Sequence, residues 1–412
     1  MRELNGLSLG QFSLALACST FIHKYYLSDR KFLFVVKSFI KLLIFRDTDH
    51  QRLYQEFTNR GSKTLVSYAT SRETHKKLIQ GYIRRIGIER NHMIYHFEGN
   101  CEICFNFQSF LEAIYYCKKN HLFRNFRLDM LMIFLAVFEL INSKKEIDLY
   151  FSNDSNDINY ICLNSAWSLE NLYTQHFRSL GCQTFTFQHA AFCDFEHALP
   201  IELNNYSNIQ SDYFLAWGEF TVSQVSKYFP DDVKILYVGN PIVEDFFQKT
   251  KYSSAEAKNN VMFIALPRIF YRDEIMDLLK LLESIITPYD YLLKVRLHPS
   301  MTSKVFFECL QENSNLDIEI DEYPSIQQAI MTYKPGMIVS FNSSIIFELL
   351  NFSEIICLFL SKRNDFKISQ LSSFSNTSEF VNLMGNTNRS KVPLEYFFDG
   401  KDLPYLKKLL AS

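Results

Sequence analysis

No apolar run read in this sequence is long enough to cross a bilayer. Met130-Leu-Met-Ile-Phe-Leu-Ala-Val-Phe138 falls far short of the ~20 residues a spanning helix needs, and Asp129 and Glu139 bracket it, so it reads as a buried helix. An excess of one charge is missing too. Lys and Arg number 43 against 45 Asp and Glu, a net charge of −2, so no whole-molecule field draws in a polyanion and nucleic acid is not an expected partner. A disulfide framework is also absent: Cys 9, an odd number at irregular spacing, fits a reducing compartment. Cys101-Glu-Ile-Cys104 has no second CxxC to complete a zinc site and reads as two thiols at a strand edge. The N-terminal apolar patch ends Leu14-Ala-Leu-Ala-Cys18, but Glu3 offsets Arg2, and Gln11 and Ser13 interrupt the run. The expectation is a cytoplasmic protein and not a secreted one.

What is present is a large core. At 412 residues, 47% hydrophobic and 21% charged, the chain exceeds what one hydrophobic core supports, and two domains follow. Residues 31–46 place Lys37 and Lys41 four apart on one helical face amid Phe and Leu. That suits a core helix with one solvated stripe; the other reading is a basic face in peripheral contact with the inner membrane surface.

From residue 63 short apolar runs alternate with helical patterns. Strands are expected at 63–69, 92–97, 147–151, 184–187, 213–217 and 234–238, and helices at 72–86, 105–117, 126–142, 158–180 and 221–229. Such alternation is the signature of βαβ units and a parallel sheet. Gly239-Asn-Pro241 stops the last strand, and the polar stretch 252–260 reads as a linker. The pattern then restarts, with strands at 261–266, from Tyr291 to His298-Pro299, at 317–320, from Met337 to the paired Ser343-Ser344, and at 354–359. No sequence repeat relates the halves. The expected organisation is one α/β domain over 1–241, a second over 261–391, and a segment 392–412 that carries a last helix, 403–410.

In parallel α/β sheets ligands bind at the carboxyl ends of the strands, where helix starts offer free N–H groups to anions. The strand Tyr291-Leu-Leu-Lys-Val-Arg-Leu-His-Pro299 stops on His298-Pro299, and Met337-Ile-Val-Ser-Phe-Asn-Ser-Ser344 stops on paired serines before a helix. One imidazole and two hydroxyls suit a phosphate. In the first half, Thr184-Phe-Thr-Phe187 ends in Gln188-His189, with Asp194 and Glu196 in the same loop.

Gln188-His189, Leu215-Ala-Trp-Gly218, Val238-Gly-Asn-Pro241, Lys294-x-x-x-His298-Pro299 and Ser343-Ser344-x-x-x-Glu348, in that order, resemble bacterial surface-polysaccharide transferases of the GT-B fold. The group contains polysialyltransferases, capsule Kdo transferases and CDP-glycerol glycerophosphotransferases, and the resemblance spans about residues 145–360, as motif matching judges it. It implies two Rossmann-like domains facing a cleft, 1–241 on the acceptor side and 261–391 on the nucleotide-donor side, a helix in 392–412 that crosses back to the first domain, no cofactor, a CMP- or CDP-linked donor, and a glycan or lipid-linked acceptor. It assigns His298, Pro299, Ser343 and Ser344 to the donor phosphate, and Glu348 either to a ribose hydroxyl or to its own helix. Among strand-end cations Arg268 is the first choice for that phosphate, before Arg296. No Asp-x-Asp triplet of the metal-using class falls at a strand end read above. Imidazole, hydroxyl and N–H donors must then stabilise the leaving group, without a metal.

His189 is the candidate base, since an imidazole's ordinary pKa of about 6.5 suits deprotonating an acceptor hydroxyl. Many relatives have Gln-His-Gly where this chain has Gln188-His189-Ala190, which removes the freest backbone at the turn. The sialyltransferase branch uses an acidic pair before glycine, echoed by the single carboxylate of Glu98-Gly99, so Glu98 is the second candidate base. Gln188 and Asp194 complete the expected binding residues. These two departures also support another reading, a non-catalytic GT-B-like partner subunit of a polysaccharide-assembly complex.

Overall fold

The computed structural model describes residues 50–69, 73–88, 92–96, 106–119, 128–151, 158–190, 200–244, 258–267, 271–286, 291–298, 301–311, 316–343, 345–350, 356–360, 371–385 and 394–411, with shorter pieces between. The N-terminal patch ending at Cys18, the Cys101/Cys104 pair and most of 31–46 lie outside them. The last two residues of that stretch, Phe45–Arg46, form a strand paired with Glu102–Ile103 and not a helix end. Asp47-Thr48-Asp49 follows it, an Asp-x-Asp triplet next to a strand that the helical reading of 31–46 concealed; the triplet itself lies outside the described residues.

Two six-stranded sheets, parallel throughout, form the framework. The first contains β1 (Thr64–Tyr68), β2 (His92–His96), β3 (Asn159–Cys162), β4 (Thr184–Phe187), β5 (Tyr213–Ala216) and β6 (Lys234–Tyr237), in spatial order β6-β5-β4-β3-β1-β2. The second contains β7 (Lys258–Ala265), β8 (Leu292–Arg296), β9 (Ile318–Ile320), β10 (Pro335–Ser340), β11 (Ile356–Phe359) and β12 (Ser372–Phe374), in order β9-β8-β7-β10-β11-β12. Strand order therefore reverses between β1 and β3 in one sheet and between β7 and β10 in the other, which is where ligand crevices form. β1, β4 and β5 are buried along their whole length, because helices cover both faces.

The helices that matter below are α1 (His50–Arg60), α2 (Glu73–Ile86), α3 (Phe107–Lys119), α4 (Leu128–Phe151), α5 (Ser168–Ser179), α6 (Pro200–Ser207) and α7 (Glu219–Val225) in the first half. The second half adds α8 (Arg272–Ile286), α9 (Ser303–Gln311), α10 (Ile326–Tyr333), α11 (Ile345–Leu349) and α12 (Thr377–Gly385), and the chain ends with α13 (Leu394–Phe397) and α14 (Leu403–Ala411). Among the described residues no helix is long and apolar enough to cross a membrane.

One expectation fails in the middle of the first half. The strand expected at 147–151 is the end of the 24-residue helix α4, and the helix expected from 158 begins as β3. Ile147 and Phe151 stand four apart and are both buried against α1 and α5, which is helical spacing. Tyr160, Ile161 and Cys162 are consecutive and all fully buried, and they pair in parallel with β1 and β4 as a strand covered on both faces. The stretch 258–260, read as linker, is the start of β7.

A single apolar cluster runs from one sheet to the other. It includes Tyr82 of α2, Phe187 of β4, Phe220 of α7, Phe263 of β7, Ile330 of α10, Phe347 of α11, and Phe397 and Leu406 of the C-terminal segment. α14 packs against α2 and β6. Asp402 accepts from the Tyr237 amide at 2.9 Å and donates its own amide to the Tyr237 carbonyl at 3.0 Å. The chain's last described elements thus cover the edge of its first sheet.

Candidate functional site

At the first rim, β4 delivers Gln188 and His189. Gln188 is fully buried, and its amide is spent inside the protein. Nε2 donates to the Ala190 carbonyl at 2.9 Å and to Thr221 Oγ1 of α7 at 2.8 Å, while Oε1 accepts the Trp217 amide at 2.7 Å. Gln188 therefore clamps the loop that carries His189 onto the ends of β5 and α7. Ala190 is not among the non-glycine residues with positive φ, so this turn closes without the glycine.

The half-buried His189 ring lies between two aromatic edges: Phe192 with centroids 5.4 Å apart, and His75 at 5.7 Å. Phe192 is anchored against Tyr206 and Phe214. His75 stands in the first turn of α2, the helix after β1, and so comes from the switch point of the sheet. The sequence reading missed it, because a histidine in an amphipathic helix looks like a solvated residue.

Glu170 was missed as well. It is buried in the first turn of α5, and its Oε1 accepts the amides of Leu163 at 2.8 Å and Asn164 at 3.1 Å, just past β3. Burial pushes its carboxyl up to about 8, against the pull of amide hydrogen bonds from Asn164, Leu163 and Ala69. One carboxyl group thus ties together the ends of β1 and β3.

At the second rim, Lys294 and Arg296 of β8 are committed to other side chains. Lys294 pairs with Glu319 and lies 5.1 Å from the centre of the Tyr333 ring. Arg296 pairs with Asp321 and donates to the Tyr323 carbonyl at 3.1 Å. His298 follows two residues on, half-buried, and its carbonyl accepts from Met301 at 2.8 Å as the chain turns into α9. Past β10, Asn342 adopts φ 45°, and Ser343 stands half-buried with its carbonyl accepting from Ile346 at 3.4 Å. Glu348 accepts from Gln327 Nε2 at 2.9 Å, bridging α11 to α10. Burial raises its pKa, opposed by Gln327 and by the charge of Arg296. Glu98, Asp194, Arg268, Pro299 and Ser344 lie outside the described residues.

The two rims meet. Phe220, next to the Thr221 that Gln188 holds, packs on Phe347 of α11 with centroids 5.1 Å apart, and α11 begins just past Ser343. Phe397 closes over the same ring at 5.0 Å. Two motifs of the family resemblance make structural contacts. A Cβ at Gly218 would stand 2.5 Å from the Phe397 carbonyl oxygen, and the Trp217 carbonyl accepts from Asp399 at 2.7 Å. Gly239, with φ 70°, offers its carbonyl to Tyr82 Oη at 2.8 Å beside the ion pair Arg85–Glu244 of 2.5 Å.

Among solved structures, the chain is similar to UDP-GlcNAc 2-epimerase from Neisseria meningitidis bound to UDP-GlcNAc. Identity is 11% and the TM-score 0.52, over 84% of this chain and 99% of that one. The enzyme of the same name from Methanocaldococcus jannaschii gives 12% and 0.51, over 84% and 99%; that from Rickettsia bellii gives 14% and 0.50, over 85% and 95%. The chain has the GT-B fold. At these identities the likeness is one of fold alone. No family model matches the sequence, and no curated protein does. Within a GT-B frame, His189 with His75 belongs to the N-terminal rim and His298 with Ser343 to the C-terminal rim.

Proposed function

We propose that this chain is a metal-independent glycosyltransferase that moves a sugar, or a glycerol phosphate, from a cytidine-nucleotide donor to a growing cell-surface glycan, with a CMP-sugar as the favoured donor. The observation that carries the reading is the Phe220–Phe347 contact, which brings the imidazole-bearing loop of one sheet and the serine turn of the other to a common seam. In this reaction His189 accepts the proton of the acceptor hydroxyl as that oxygen attacks the donor. His298, Ser343 and Ser344 donate hydrogen bonds to the departing phosphate, whose charge grows as the bond to the transferred group breaks.

A second reading draws on the fold likeness: a UDP-sugar enzyme that acts without an acceptor, as the epimerase neighbours are named to do. The test is a panel of CMP-sugars, CDP-glycerol and UDP-GlcNAc, with and without a lipid-linked glycan acceptor and with and without EDTA. Acceptor-dependent release of CMP, unaffected by EDTA, supports the proposal. His298→Ala should weaken nucleotide binding about 10–100-fold, the worth of a hydrogen bond to a charged group. His189→Ala should lower kcat about 10²–10⁴-fold and leave nucleotide binding unchanged. Epimerised UDP-GlcNAc without acceptor would establish the second reading. Absence of turnover with every donor, together with no thermal shift from CMP, CDP or UDP, would leave the non-catalytic partner subunit.

A further inference from the structure

Helix α3 turns the wrong face to solvent. Its inner side, Ser109, Ala113, Tyr116 and Cys117, is buried, with Phe110 stacked edge-on against Phe134 and Phe138 of α4. Its outer side holds Phe107 at 63% exposure, Leu111 at 50%, Ile114 at 38% and Tyr115 at 60%. The spacing of four, three and one residues puts all four on one stripe of the helix. A solvated helix normally places charged residues there, and contiguous exposed apolar surface marks an interaction site.

The charges on this face have one sign. Lys118 and Lys119 are exposed at its C-terminal end, with the Lys119 ammonium 5.3 Å from the centre of the Tyr115 ring. Glu112, the carboxylate of the helix, is half-buried and neutralised by Lys145 of α4 at 2.9 Å. In sequence the next charged residues are Arg124 and Arg127, with no acid before Asp129. An apolar stripe carrying large side chains, with lysines at one end and no exposed carboxylate among the described residues of the helix, matches the boundary between acyl chains and anionic headgroups.

We propose that the outer face of α3 docks on an anionic lipid surface, with Phe107, Leu111, Ile114 and Tyr115 entering the acyl boundary and Lys118 and Lys119 meeting the headgroups. These six residues are other than those of the 31–46 stretch, and lipid binding by them is independent of the transferase reading, since a protein without turnover would bind in the same way. The test is co-sedimentation of the full chain, without donor, with vesicles of phosphatidylcholine alone or with phosphatidylglycerol added.

Binding should require phosphatidylglycerol and weaken with salt. Leu111→Asp/Tyr115→Asp should reduce it at least about tenfold, and Lys118→Glu/Lys119→Glu should lose about fivefold or more per lysine. All four residues are exposed, so the far-UV circular dichroism of the variants should match the parent. Equal binding by parent and Leu111→Asp/Tyr115→Asp, or none by the parent, would overturn the proposal. So would a dimer in light scattering that the same variant dissolves, which would assign the face to a second copy of the chain.

Discussion

Glu170 holds two strand ends with one carboxyl group, and burying it has a signed consequence. Its pKa lies near 8 in the fold against an ordinary value of 4.5, so the folded chain takes up a proton between those two values and the unfolded chain does not. The stability this group contributes is fully present below about pH 4.5, is lost progressively up to about pH 8, and changes no further above that, a swing of a few kcal/mol. Chemical denaturation across pH 4.5–8.5 should therefore show falling stability that Glu170→Gln flattens; parallel profiles in both proteins would exclude Glu170 as the source. Gln188 acts at the same scale. Its amide looked like a ligand-binding group because it precedes a histidine at a strand end, yet its three partners, Ala190, Trp217 and Thr221, occupy all its described bonds. Two of those partners lie about thirty residues away, a distance over which local pattern carries no information. The geometry that fixes His189 is thus made by a tertiary contact, and the turn closes with Ala190 at its third position.

Elements buried on both faces were legible because they appear as apolar runs between turn residues; β1, β4 and β5 all lie within one residue of expectation. The same property misled at 147–162, where short apolar runs suit helix and strand alike and only tertiary burial decides. β12 and α12 escaped notice, since Ser372-Ser-Phe374 is a polar edge strand with one buried side chain. His298 and Ser343 were readable at strand ends, whereas His75 was not, because nothing local marks one residue of an amphipathic helix as facing a loop a hundred residues on. At this scale the Leu215-Ala-Trp-Gly218 motif acquires a mechanical reason. Gly218 has an extended backbone, and what it needs is space: its Cβ position is filled by the backbone of Phe397 and Phe398. Gly218→Ala should force α13 off α7 and cost about 1–3 kcal/mol, the usual penalty of overpacking, read as a lower denaturation midpoint with His75 and His189 untouched. An unchanged midpoint would show that the segment yields freely.

Across the molecule, the last residues support the first sheet. Phe397, Phe398, Leu406 and Leu410 are buried in the cluster shared by both halves, and Leu410 also offers its carbonyl to Asn159 of β3 at 3.5 Å. Burying four large apolar side chains is worth about 6–12 kcal/mol before chain ordering is counted. Asp399 and Asp402 add hydrogen bonds to Trp217 and Tyr237 at the ends of β5 and β6. Removing residues 394–412 should therefore weaken the half of the chain farthest away in sequence. The chain has Trp 2, Trp167 and Trp217, and both belong to the first half, so tryptophan fluorescence reports that half alone. In the truncated protein the fluorescence midpoint should fall by about 10 °C or more, since each kcal/mol moves the melting of a domain of this size by about 2–4 °C. Far-UV circular dichroism should retain a later transition from the second sheet, whereas the intact chain should melt once by both probes because its apolar cluster is continuous. A fluorescence midpoint that survives truncation would mean that the first sheet closes its own edge, and that the C-terminal helix rests on it without supporting it.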